Sequence, residues 1–203
     1  MTVERDQMHG GRITSEEKST FGKYFGLGLV TLFGAGGIYF FFLTQQTKDL
    51  VGFDPNQPVQ SDAILKRRLK AEQYRIVREN GTEMPFQNEF FENMRPGLYV
   101  DVITNEPLFS SADKYDAGLG MPTFSKPISK DLLVEVPDNS HDMQRTEVRA
   151  KRSNAHLGHV FADPTSRTGQ RYTVNSAAFH FIPLERMKSE HYEAYLPLVE
   201  KKP

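Results

Sequence analysis

Cysteine is missing from all 203 residues of the chain. That single absence excludes disulfides, thiolate nucleophiles, thiolate zinc sites and cysteine-held iron–sulfur clusters. Tryptophan is missing too, which leaves aromatic packing to 15 Phe and 8 Tyr. Nor is one sign of charge in excess: 25 basic residues face 26 acidic ones. A chain so balanced carries no overall field to attract a polyanion, so no nucleic-acid partner is expected.

What is present divides the chain. After a polar N-terminal tail (1–23), residues 24–43 read YFGLGLVTLFGAGGIYFFFL, without a charge. As a helix this run would rise about 30 Å, the thickness of a bilayer core. Its glycines are costly in a soluble helix but let a second helix approach closely in a membrane. A buried core helix would seldom be apolar on every face, and a cleavable signal would carry only about 7–15 apolar residues before small ones. A transmembrane helix is therefore expected at 24–43. Arg5, Arg12, Lys18 and Lys23 precede it and Lys48 follows, which places the N-terminus in the matrix or cytoplasm. The expected setting is a mitochondrial inner membrane or a bacterial cytoplasmic membrane.

Residues 44–73 read as a linker and a short basic helix. Gly52, Pro55 and Pro58 interrupt the first part, and apolar Ile64, Leu65, Leu69 and Ile76 fit one helix over about Ala63 to Val77. The basic group Lys66, Arg67, Arg68 and Lys70 suits either a solvated face or contact with anionic headgroups. From 74 to 183 short apolar runs such as LYVDVI, LLVEV, TEVRA, RYTVN and FHFIP alternate with Gly, Pro, Asn and Asp, the pattern of a mainly β domain. In the extension 184–203, Leu184, Met187, His191 and Tyr195 recur at helical spacing between Pro183 and Pro197, so a helix is expected to start at the first proline and stop at the second.

Four segments of the β region, GTEMPF (81–86), EPLFSSADKYDAGLGMPTFSKPI (106–128), RTEVRAKRSNAHLGHVFADP (145–164) and GQRYTVNSAAFHFIP (169–183), resemble methionine-R-sulfoxide reductase B in order and spacing. The resemblance implies a small twisted β-barrel with peripheral helices, in proteins that reduce the R epimer of methionine sulfoxide. Many members also hold a structural zinc with two cysteine pairs. The matching positions are Asp101, Thr104, Ala150 and Ser153, so neither zinc nor any other cofactor is expected.

In that family the catalytic cysteine lies between Arg-Tyr and Asn-Ser, where this chain has Thr173. A thiol with pKa near 8.5 is a few per cent ionised at neutral pH, and an adjacent arginine raises that fraction. An alcohol ionises only near the pKa of water, about 15, and it can form neither a sulfenic acid nor a disulfide. Two further positions follow suit: a frequent site of the resolving cysteine is Leu119, and the family's pocket tryptophan is Met121. What remains is the polar part of the pocket, His156, His159, Asp163, Arg171 and Asn175, together with Met121 and Phe124. His156 and His159 would be a poor metal site without a third ligand, so a satisfied hydrogen-bond network is the plainer reading.

Taken together, these features lead us to expect a pseudoenzyme: a non-catalytic, single-pass accessory subunit, with other subunits of a membrane protein complex and the lipid bilayer as partners. Two alternatives remain open. The domain could capture methionine sulfoxide without reducing it, or a partner could supply the thiol.

Overall fold

The computed structural model describes residues 29–34, 37–42 and 52–200. The expected tail at 1–23 lies outside the described residues. The chain divides into two compact units, 1–49 and 50–203.

In the first unit the apolar run is not one helix. Leu29–Gly34 (β1) and Gly37–Phe42 (β2) form an antiparallel pair, with Gly34 opposite Gly37 and Leu29 opposite Phe42. The composition explains this correction: Val30, Thr31, Phe33, Ile38, Tyr39 and Phe40 are strand-favouring residues, and two residues separate the strands, the usual length of a tight hairpin connection. Among the described residues no helix is long and apolar enough to cross a membrane.

The second unit is mainly β, as expected. Gly97–Asp101 (β3), Pro107–Ser110 (β4) and Phe179–Pro183 (β10) form a three-stranded antiparallel sheet in the order β10-β3-β4. Thr123–Phe124 (β5), Leu133–Asp138 (β6), Arg145–Ala150 (β7), His156–Ala162 (β8) and Gln170–Val174 (β9) form a five-stranded sheet in the order β5-β9-β8-β7-β6. The inner faces share one aromatic core. Phe124 stacks on Phe109 at 4.6 Å between centroids and meets Tyr99 edge-on at 5.0 Å. Each fully buried side chain of this size contributes roughly 1.5–3 kcal/mol.

The expected single helix over 63–77 is two, Asp62–Arg68 (α1) and Ala71–Glu79 (α2). Leu69 and Lys70 are extended at ψ 149 and 151, and the Lys70 amide donates to the Gln73 side chain to start α2. The break lets Arg68 donate to the Val102 and Ile103 carbonyls at 3.1 and 3.0 Å. Leu65, Leu69 and Ile76 are buried while Ile64 stays exposed.

The C-terminal extension also differs from expectation. It consists of two short 3-10 turns and the helix Leu196–Val199 (α3), and Pro197 stands in the first turn of that helix rather than ending one. His191 has φ +60, which interrupts any continuous helix. Met187, Tyr192 and Val199 pack with Leu98, Val100 and Ile182 in a second apolar cluster, joined by Phe53 from the other end of the unit.

Candidate functional site

Register across the five-stranded sheet assembles the polar residues. Thr123 pairs with Thr173, Thr173 with His159, and His159 with Glu147, so their side chains share one face. Arg171 pairs with Phe161, and its guanidinium lies over that ring at 4.7 Å. A register shift between Val148 and Arg149 places His156 opposite Arg149 and brings the two imidazoles to 5.7 Å. Gly158, between them, has φ +154, and a Cβ there would fall on the Thr173 carbonyl oxygen. The close approach of β8 to β9 therefore requires the glycine of HLGH.

Two arginine–carboxylate–histidine groups stand side by side on this face. Glu147 Oε1 accepts from Arg149 and from His156 Nδ1, the latter at 2.6 Å. Asp138 Oδ2 accepts from Arg145 and from His159 Nε2, both at 2.7 Å. A carboxylate paired with arginine can only accept, so Nδ1 of His156 carries the proton. Among the described residues its buried Nε2 meets no partner, and His156 as a whole is 3% exposed. Burial lowers the imidazole pKa, against the opposing pull of Glu147, so the ring is held neutral with Nε2 as an unused acceptor. Asp138 is held well below the usual carboxylate range, first by the Ser140 hydroxyl and amide and then by His159.

The nucleophile position lies beside this pair. Arg171 donates to Thr173 Oγ1 at 3.1 Å and approaches Asp163 at 3.3 Å, and Asp163 also accepts from the Tyr115 hydroxyl at 3.1 Å. The arginine is where it would stabilise an anion at position 173. The hydroxyl there stays neutral, and it accepts from the cation rather than giving a proton to a base.

Other expected pocket residues are placed differently. Asn175 accepts from the Glu83 amide at 2.9 Å and donates to the Leu157 carbonyl at 3.0 Å, so its side chain brackets two strands of chain and is committed. Phe124 is a core residue at 0% exposure. Met121 is half-buried, with Sδ 3.5 Å from Asn88 Nδ2, whereas Leu119 is exposed. Asn88 also donates to Gly120 at 2.7 Å and accepts from Ser176 at 2.7 Å, tying the loop before β3 to the loop before β5.

The four positions matching the family's zinc ligands do not suit zinc. Ala150 offers no donor atom, and Thr104 and Ser153 offer neutral hydroxyls already bonded within the protein. Among the described residues no three His, Asp or Glu side chains gather where they could hold a metal ion.

Sequence reasoning missed Glu147, Asp138, Arg145 and Arg149. The first, third and fourth alternate along β7 as R-x-E-x-R, a visible sign of a strand with one charged face. Asp138, Glu83, Asn88 and Tyr115 reach the site from loops or distant strands and gave no such sign.

With this geometry in view, a SelR domain, the methionine-R-sulfoxide reductase B domain, is found to match residues 69–183. The match covers more than half of the chain, and the chain belongs to this family.

Proposed function

We propose that this chain is a non-catalytic member of its family, an accessory subunit of a membrane-associated protein complex that uses the inherited domain as an interaction surface. Thr173 carries the proposal: the position that needs a thiol holds a neutral alcohol bonded to Arg171, in a sequence without cysteine. The uncharged stretch 24–43 supports the membrane part, because nine of the twelve described positions in its two short strands are apolar or aromatic by sequence, and an isolated two-stranded hairpin of that composition needs cover by lipid or by a partner. On this reading the membrane is a mitochondrial inner membrane or a bacterial cytoplasmic membrane; the orientation expected of one spanning helix does not carry over to an antiparallel hairpin, whose outer ends, Leu29 and Phe42, lie side by side. The purified full chain should turn over no R-methionine-sulfoxide peptide with dithiothreitol. Recovery from detergent-solubilised native membranes only as a free monomer would sink the subunit role, and turnover by the intact complex would point to a thiol from a partner.

One observation favours a second reading, capture of methionine sulfoxide without reduction. His156 Nε2 is buried and, among the described residues, unpartnered, and an acceptor so placed is costly unless a water donates to it; a sulfoxide oxygen, which can only accept, would bond the second proton of that water rather than the ring. Titration with an R-methionine-sulfoxide peptide decides this. Absence of saturable binding up to millimolar peptide removes it.

A further inference from the structure

The short helix α1 is bound to the domain along one side and open along the other. Leu65 and Leu69 are buried, and Arg68 is spent on the Val102 and Ile103 carbonyls. At about 100° per residue that inward face sets Ala63 and Arg67 opposite it, with Ile64 and Lys66 to either side. All four are exposed. Lys70, in the break after the helix, is exposed as well.

The charge on this open side is not neutralised within the protein. Residues 62–78 hold six cations and two carboxylates, and both carboxylates are already paired, Asp62 with Arg78 at 2.9 Å and Glu72 with Arg75. Among the described residues no carboxylate pairs with Lys66, Arg67 or Lys70, and Lys66 lies over the Tyr74 ring at 5.8 Å. Three cations are thus left around Ile64, an apolar side chain 42% exposed.

Cations beside an exposed apolar residue match a surface that is anionic at its face and apolar beneath, the makeup of a bilayer with acidic headgroups. A soluble polyanion would take the charges and leave Ile64 in water. Residues 43–61 alone separate the apolar stretch from α1 in the chain, so a bilayer that covers 24–43 lies within the chain's reach of these cations. Resting on the membrane reading above, we propose that the open face of α1, Ile64 with Lys66 and Arg67, together with Lys70, docks on an anionic phospholipid surface. Each cation close to such a surface favours binding about fivefold, and salt screens the attraction. Leu65, Leu69 and Arg68 already fix the helix to the domain, so docking needs no folding step.

The full chain tests this, since a sequence without cysteine lets Ile64→Cys carry one environment-sensitive nitrobenzoxadiazole label on the open face. On phosphatidylcholine vesicles with about 30% phosphatidylserine the label should brighten and shift to the blue. On phosphatidylcholine alone, or in about 0.5 M NaCl, it should not. Adding Lys66→Gln, Arg67→Gln and Lys70→Gln should abolish the response, a loss of about a hundredfold for three cations. Flotation with pure phosphatidylcholine tests the membrane reading by itself. A chain that floats there while its label stays in water on the serine-containing vesicles would overturn the docking face and leave that reading intact. A chain that floats only with the anionic lipid, its label buried, supports the face and removes the apolar anchor. An equal response on neutral lipid, or one to a single-stranded RNA and none to vesicles, would also overturn the inference.

Discussion

The resemblance to methionine-R-sulfoxide reductase B implies cysteine in two regions, and this chain departs from it differently in each. At the turn Asp101–Thr104 the implied job is mechanical, to hold a loop, and a carboxylate that accepts from the Ile103 amide and the Thr104 hydroxyl has the right chemistry for that. On β9 the implied job is to accept and release electrons through sulfur. Thr173 keeps the shape and a bond to Arg171, yet oxygen in that place has no accessible oxidation ladder. A geometric role can pass to other residue types, whereas a redox role cannot.

The seam between β8 and β9 joins these regions, so disturbing it produces the largest expected effect. Gly158→Ala would place a methyl on the Thr173 carbonyl oxygen, in a sheet that has no room to open. We expect a loss of about 3 kcal/mol or more, or failure to fold, read by chemical denaturation. Retention of parental stability would mean that β8 and β9 are less closely joined than described.

Next in size is Glu147→Ala, which strips the acceptor from both Arg149 and His156. A cost on the order of 2–3 kcal/mol is expected. The same region should respond to acid. Since burial lowers the His156 pKa in the folded state, the unfolded chain binds the proton first as pH falls below its ordinary value of about 6.5. Stability present above that pH is then lost as pH drops toward the folded value. His156→Asn, which preserves a donor toward Glu147, should flatten this part of the curve measured between pH 7.5 and 5. An unchanged slope would show that His156 is not the group responsible.

Much of the site could be read in the sequence because it is local. HLGH and RYTVN lie on adjacent strands, and knowing that they pair is enough to put His159 opposite Thr173. The charged alternation of β7 is equally visible in the sequence, yet its Glu147, Arg145 and Arg149 were missed. Features set by tertiary contact were not. Leu69 and Lys70 look helical in isolation, and the break between α1 and α2 is explained only by where Arg68 must reach. Asn175 looked like a ligand-binding amide because nothing local reveals that Glu83 and Leu157 occupy it. The apolar stretch 24–43 satisfied a helix by length and a hairpin by residue type, and length alone does not decide between them.

Position 173 itself separates shape from chemistry. Thr173→Cys would introduce the chain's single thiol, beside Arg171. Its pKa should fall below about 8.5, as read from the pH dependence of alkylation by iodoacetamide. Arg171→Ala in that background should return it toward the ordinary value. A thiol with unshifted reactivity would show that the arginine no longer serves an anion.

The smallest expected effect is the sharpest for the comparison. Thr173→Val is close to isosteric and removes one hydroxyl, leaving Arg171 its contact with Asp163 and its seat over Phe161. The position is half-buried, so water can replace the lost acceptor, and the cost should be about 1 kcal/mol or less. Loss of the Thr104 hydroxyl from Asp101 is expected to matter more, because the carboxylate it serves is fully buried. If Thr173→Val proved as damaging as Thr104→Val, the hydroxyl on β9 would have acquired a structural role of its own. The two regions would then have followed the same course, with each lost cysteine replaced by a hydrogen bond that holds the fold.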